Sequence, residues 1–317
     1  MSMLGRASAA VAGQIEDEGL LGDPTPLWRR AWQRLLRRRS GQVGLVLIVF
    51  LVLVALFAPV IAPFDPEQVL IGVEDVKKRE GPCIHVLGCD VAEPQHLMGI
   101  DGNFRDQFSR VVYGTRISLL IGLSTVSAAL FFGVFLGSIA AYFGGLIDNL
   151  IMRIMDVILG FPSLLLAIAI VAVLGPGIQN ALLAISIVTL PAYARVTRAS
   201  VLSVKQLDFV AATRALGGSP WRILFLRILP NAITPIVVLA TLGIATAILD
   251  AAGLSFLGLG AQPPMPEWGT MLGSERNQIF SAPHLVFFPG IAIMITVLGF
   301  NLLGDGLRDA LDPRLNS

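Results

Sequence analysis

The chain has 317 residues, 55% of them hydrophobic and 14% charged, with a formal net charge of +1 and a mean hydropathy of +0.75. An average soluble domain carries roughly 25% charged residues, so this balance excludes a water-soluble globular protein; the net charge hides local asymmetry and by itself says nothing about nucleic acid, which is not an expected partner. Two cysteines, Cys83 and Cys89, are too few for a disulfide scaffold or a thiolate cluster.

Residues 1–26 are small, acidic and without hydrophobic period, and read as a mobile arm. From Leu27 to Arg39, Trp28, Ala31, Trp32, Leu35 and Leu36 share one helical face opposite arginines. That pattern fits a helix lying in the membrane interface, or else a solvated basic arm. Residues 1–40 therefore form a cytoplasmic arm with a basic helix, and 41–317 the transmembrane domain. Val43 to Phe64 holds no charge and is long enough for the roughly 30 Å hydrocarbon core, too long for a cleaved signal.

An external loop over 65–112 follows, mixing both charge signs. Cys83 and Cys89 both fall in it; on the oxidising side a local disulfide is the simpler reading. His85, Asp90 and His96 raise a metal alternative whose spacing matches no strong ligand template, so no metal is expected. Five more apolar segments lie near 116–142, 151–173, 179–201, 231–257 and 285–304, with Pro162, Pro191 and Pro235 as kink points. Gly133 and Gly137 make a small-xxx-small pair, which either brings two helices together or reflects ordinary glycine usage in membranes.

Orientation follows from where Arg and Lys are retained. Arg29, Arg30, Arg34, Arg37, Arg38 and Arg39 hold the N-terminus inside, and Arg198, Lys205, Arg214, Arg222 and Arg227 mark a second inside segment. An even number of crossings must separate them. The expected fold is all-α and polytopic, with six transmembrane helices and both termini cytoplasmic.

The loop 205–230 is too charged to insert. Phe209, Ala212, Ala215 and Leu216 are spaced as one apolar face, and Gly217 sits where a left-handed stop ends a helix. Ser219 is placed to cap a second short helix, Pro220 to open it, and Pro230 to begin the next span. Small residues at Ala211, Ala212, Ala215 and Gly217 suit close docking in a partner's groove, with Arg214 free to pair with a partner carboxylate.

Asp148, Arg153 and Asp156 mark an inner helix boundary, where mutual pairing or snorkelling explains them. Asp250 is the one acid well inside an apolar run; it is either a structural partner near the outer helix end or a transport residue. No G-x-x-x-x-G-K-[ST], H-E-x-x-H or G-x-S-x-G motif occurs, and the only lysines are Lys77, Lys78 and Lys205. No catalytic residue and no bound cofactor are expected.

Phe209-Val-Ala-Ala-Thr-Arg-Ala-Leu-Gly217, closing in Ile228-Leu-Pro-Asn231, resembles the coupling loop of bacterial ABC importer permeases. Ala211 stands where that family has glutamate and Thr213 where it has alanine, while Gly217, Leu229 and Pro230 match. Met98 to Asp106 running into Ser109 to Ser118, and Leu254 to Gly260 followed by Pro263, Pro264, Trp268 and Gly269, are similar to the C-type subunit of dipeptide, oligopeptide and nickel permeases. Ile100 and Asn103 depart from the usual threonine and glycine, and the counterpart of Asp250 is glutamate. The resemblance covers about 30–315. It implies the type I importer permease fold in the cell membrane, a heterodimer with a homologous permease, and lipid contact. It further implies two ATP-binding subunits holding ATP and Mg, and an external or periplasmic solute-binding protein that docks on the external loop and near Ala261 to Asn277. Phe209, Ala211, Ala212, Thr213, Arg214, Ala215, Leu216, Gly217 and Pro230 are then the coupling residues. The cargo implied is a di- or oligopeptide, with nickel or another small solute as the alternative. An ion-coupled carrier would need inverted repeats and several midplane charges, which are not visible.

Overall fold

The computed structural model describes residues 27–90 and 92–311; the arm expected over 1–26 and the side chains of Trp28 and Ala31 lie outside the described residues. Helix α1 (Leu27–Leu35) leads into α2 (Arg39–Ile61), whose uninterrupted apolar sequence exposes Val46, Leu56, Phe57 and Val60 along its length. A surface of that kind is at rest only in hydrocarbon. In α1, Leu35 is buried while Trp32 and Leu36 are exposed, and Leu35 packs against Gly41 and Gly306.

Helix α3 (Gln107–Phe143) is 37 residues long, about 55 Å at 1.5 Å per residue, and so projects beyond the bilayer. It begins well before the expected start near 116, which shortens the external loop. Asp106 caps it, its carboxylate accepting from Ser109 N–H at 2.7 Å. The buried Arg110 guanidinium donates to the carbonyls of Pro66 (2.7 Å) and Pro264 (3.2 Å), so the charged first turns are satisfied outside the hydrocarbon.

The crossing expected over 151–173 is not one helix. It is α4 (Gly145–Leu159) and α5 (Ser163–Leu174), which meet at 91°. Pro162 lacks an N–H and disfavours helical backbone at Phe161, so the helix breaks at Gly160-Phe161-Pro162. Helix α6 (Ile178–Lys205) then carries its arginines towards α4. Arg198 pairs with Asp148 at 2.6 Å and Arg195 with Asp156 at 2.5 Å. The acids of α4 thus pair with α6, not with Arg153. At 12 residues α5 is about 18 Å long. Five helices are individually long and apolar enough to cross a membrane, and the bent pair supplies the sixth when taken as one span.

The two other prolines do not break their helices. Pro191 lies inside α6, and Pro235 inside α8 (Pro220–Phe256). Helix α8 packs on α3, on α6, on the short external helix α9 (Trp268–Glu275) and on α10 (His284–Leu311), and is the central element. Among the described residues there is no named strand.

Gly133 and Gly137 form the close crossing of α3 with α6. A Cβ on Gly133 would sit 2.6 Å from Tyr193 Cβ, and one on Gly137 would strike the Ala194 carbonyl. Close approach of backbones replaces the hydrophobic drive that lipid cannot provide between helices. Gly137→Val is expected to destabilise the fold by about 1–3 kcal/mol through overpacking, read as a lower thermal unfolding midpoint in detergent.

Candidate coupling and translocation site

The loop between α6 and α8 folds into a single short helix, α7 (Asp208–Ala215). Its C-terminus closes as the sequence requires. Gly217 has φ of +78°, and Gly218 N–H donates to the Thr213 carbonyl at 3.1 Å. Val210 is the one buried residue of α7. Phe209, Ala211, Ala212, Arg214, Ala215 and Leu216 are all exposed, Leu216 at 88%, and Thr213 is half-buried with its hydroxyl donating to the Phe209 carbonyl. The apolar face of α7 is therefore open, and covering a leucine and a phenylalanine on a partner would contribute about 1.5–3 kcal/mol each.

The second short helix expected after Gly217 does not stand alone. Pro220–Ile223 runs through a π turn, Leu224–Ile228, directly into the span at Leu229, and Leu229 N–H donates to the Leu224 carbonyl. Pro230 has no N–H for the Leu226 carbonyl, and the turn before it widens accordingly. Ser219 occupies the N-cap position, but its side chain makes no capping hydrogen bond. Pro220 alone supplies the start signal.

Val210 plugs into a cluster formed by Ala141 of α3, Val201 of α6, and Ile223, Leu224, Ile228 and Ala232 of α8. Lys205 closes the same corner, its ammonium donating to the carbonyls of Ala141 (3.1 Å) and Tyr142 (2.6 Å) at the C-terminal end of α3. A displacement of α7 thus acts on three spanning helices at once. The sequence contained this anchor only as an apolar residue on the opposite side of α7 from the alanines, with no spacing signal of its own.

At the end of the bundle away from α7, sequence stretches 157 to 196 residues apart come together. Trp268, fully buried, donates its indole N–H to the Val111 carbonyl at 3.0 Å. The Glu267 carboxylate caps α9 by accepting from Gly269 and Thr270 N–H at 2.9 and 2.8 Å; burial pushes its pKa up against those hydrogen bonds. Arg79 pairs with Glu275 at 2.8 Å, and Gly102 N–H donates to the same carboxylate. Asp101 binds Arg105 at 2.8 Å and faces Arg110 at 3.5 Å. Ile100 is fully buried, and Asn103 N–H donates to Asp101. Of the segment Ala261 to Asn277, Ala261, Glu267, Trp268, Thr270, Met271 and Glu275 are buried. The expected docking surface there therefore narrows to residues such as Pro263, Pro264, Arg276 and Asn277.

Cys83 and Cys89 are joined by a disulfide with their Cα atoms 5.4 Å apart, spanning a turn at His85–Leu87. His85 Nε2 lies 2.8 Å from the Glu93 carbonyl. Glu93 completes a group with the two sulfurs, and with both sulfurs bonded to each other there is no thiolate pair to hold a metal. Asp250 lies half-buried on α8, six residues before its outer end, with no hydrogen-bonding or charged partner among the described residues.

The chain as a whole is similar to known proteins. Residues 133–317 match the family described as the binding-protein-dependent transport system inner membrane component. The chain belongs to that family. Residues 26–80 match the N-terminal TM domain of oligopeptide transport permease C. The permease is 49% identical over 290 residues to a dipeptide transport system permease protein of Alkalihalophilus pseudofirmus, covering 92% of this chain and 91% of that protein. It is 44% identical to a glutathione transport system permease protein of Pectobacterium atrosepticum, with 92% of each chain covered. The inward-facing MetNI methionine ABC transporter shares the fold at a TM-score of 0.52 and 19% identity, over 65% of this chain and 97% of that one.

The outer cap of the permease contains a protonation-sensitive contact. Buried His96 donates its Nδ1–H to the Asp106 carboxylate at 2.9 Å, and its Nε2 lies 3.2 Å from the Glu74 carboxylate, at ion-pair distance without hydrogen-bond alignment. Burial lowers its pKa, but the hydrogen bond and charge of Asp106, with Glu74 behind, outweigh burial and leave the pKa raised above 6.5. A raised folded-state value means that the stabilisation is full below about pH 6.5 and is lost as pH rises through the folded value. The thermal midpoint of the wild type should exceed that of His96→Gln at acid pH, and the gap should close on the alkaline side in a pH series of melts.

Proposed function

We propose that this chain is the translocation subunit of an ATP-driven importer of di- and oligopeptides, built into the bacterial inner membrane with both termini cytoplasmic. It pairs with a homologous permease, and two ATP-binding subunits that carry ATP and Mg dock on α7. An external solute-binding protein delivers cargo to the cap. The single observation that carries this reading is α7 itself, an open apolar face on a helix whose one buried residue, Val210, is fixed to α3, α6 and α8. Closure of the ATPases moves α7 as a rigid body, and the Val210 cluster passes that movement to the helices around the path. The chain has no phosphate loop of its own, which supports a non-catalytic role. Family membership and the relatives' dipeptide and glutathione assignments support peptide cargo over nickel.

Uptake of a radiolabelled dipeptide by proteoliposomes holding the full complex tests this directly. Ala212→Trp, on the open face, and Gly217→Trp, at the turn, are each expected to abolish ATP-dependent uptake while the chain still inserts. Full uptake in both variants would remove α7 as the docking element. Competition by a peptide panel and by nickel decides cargo: nickel competing where peptides do not would reverse the preference.

A further inference from the structure

Helix α8 is packed on four neighbours, yet its outer half leaves one stripe uncovered. Thr246, Leu249, Asp250, Gly253, Phe256 and Leu257 recur at helical spacing and are exposed or half-exposed, while Ala245, Ala247, Ile248, Ala251 and Leu254 between them are buried. The stripe opens beside α5: a Cβ on Gly253 would meet only the Leu164 methyl, at 3.9 Å. It differs from the exposed surface of α2, which is uncharged and apolar from Val43 onward, because it carries a hydroxyl and a carboxylate one helical turn apart.

Asp250 lies about 9 Å inside the outer end of α8. Among the described residues no cation answers it: Arg195 and Arg198 are committed to Asp156 and Asp148 at the inner end, and Arg116, exposed on α3, makes no ion pair. A carboxylate at this depth cannot rest against acyl chains. Its stripe faces either an aqueous path or a cation brought by another molecule.

We propose that Asp250 is the cation-recognising residue of the translocation path, taking the α-ammonium of a passing peptide, with Thr246 one turn below it on the same wall. The small residue Gly253 leaves room for the ammonium to reach the carboxylate between α5 and α8, and the unanswered carboxylate sets the stripe against water and not acyl chains. This rests on the peptide reading above.

The test uses the complete complex in proteoliposomes. Asp250→Asn should lower dipeptide uptake at least about tenfold, the scale of one charge-assisted hydrogen bond, with basal ATP hydrolysis and subunit stoichiometry unchanged, and Asp250→Glu should retain uptake. Because both native cysteines are bonded to each other, Asp250→Cys adds a single free thiol. It should react with water-soluble methanethiosulfonates, and the anionic sulfonatoethyl reagent, but not the cationic trimethylammonium one, should recover uptake. An unreactive thiol, equal recovery with both reagents, undiminished uptake in Asp250→Asn, or loss of the sibling permease from that variant would each overturn the proposal, the last by assigning Asp250 to the subunit interface. If the wild type carries no dipeptide, it is the cargo reading that fails, and the labelling alone then decides whether Asp250 faces water.

Discussion

A charge cannot be left in hydrocarbon, and the places where this chain satisfies that constraint are the places where its helices bend, stop or meet. Asp148 and Asp156 lie on α4, Arg195 and Arg198 on the inner half of α6. Were residues 145–174 one straight span, both acids would be carried into the bilayer away from those arginines. The break at Gly160-Phe161-Pro162 turns the chain through 91°, and α4 keeps both acids paired with the arginines of α6 while α5 runs on without a charge. The same constraint acts at the other face. Arg110 and Asp101 would be prohibitive in lipid, and they are buried instead in protein that stands above it.

The two ends of the molecule are consequently built around different centres. The cap is held by buried hydrogen bonds and ion pairs with defined directions, such as Trp268 to Val111 and Arg79 to Glu275. The end that carries α7 combines the Arg198–Asp148 and Arg195–Asp156 pairs and the Lys205 hydrogen bonds with an aliphatic cluster around Val210, and it is the cluster that holds α7. Directional contacts resist sliding, whereas a cluster of methyl groups moves with whatever helix it grips. In the proposed coupling, a push on α7 would pass through the Val210 cluster to α3, α6 and α8, while the cap holds the far ends of α3 and α8.

Much of this was legible in the sequence, because hydropathy, arginine placement and breaker residues act locally. The spans, the stop at Gly217 and the start at Pro220 follow from single residues with a fixed backbone consequence. What was not legible depends on long-range contacts. Pro162 marks a kink but not its angle, which goes with Asp148 and Asp156 finding arginines 50 and 39 residues away. The start of α3 at Gln107 could not be read from hydropathy, because Ser109 and Arg110 look unfavourable until Pro66 and Pro264 supply acceptors. Val210 is one valine among many, and only the folded corner makes it the anchor of the coupling helix. Ser219 shows the reverse failure, a good local signal that the structure does not use because the helix it would cap runs on into α8.

The departure at Ala211 bears on how such a helix can hold a partner. Where the resemblance places a glutamate, this chain exposes a methyl group beside Ala212 and Ala215. An exposed glutamate in a shallow groove gains little from an ion pair, about 0–1 kcal/mol, whereas a run of small residues allows the partner to approach the α7 backbone and to bury Phe209 and Leu216 more completely. In the proposed docking, loss of the acid shifts the balance from charge to apolar contact without removing it. That shift suits a helix whose buried side is itself apolar: with Val210 held in the cluster, a partner that covered Leu216 would grip α7 on its other face through contacts that salt does not screen.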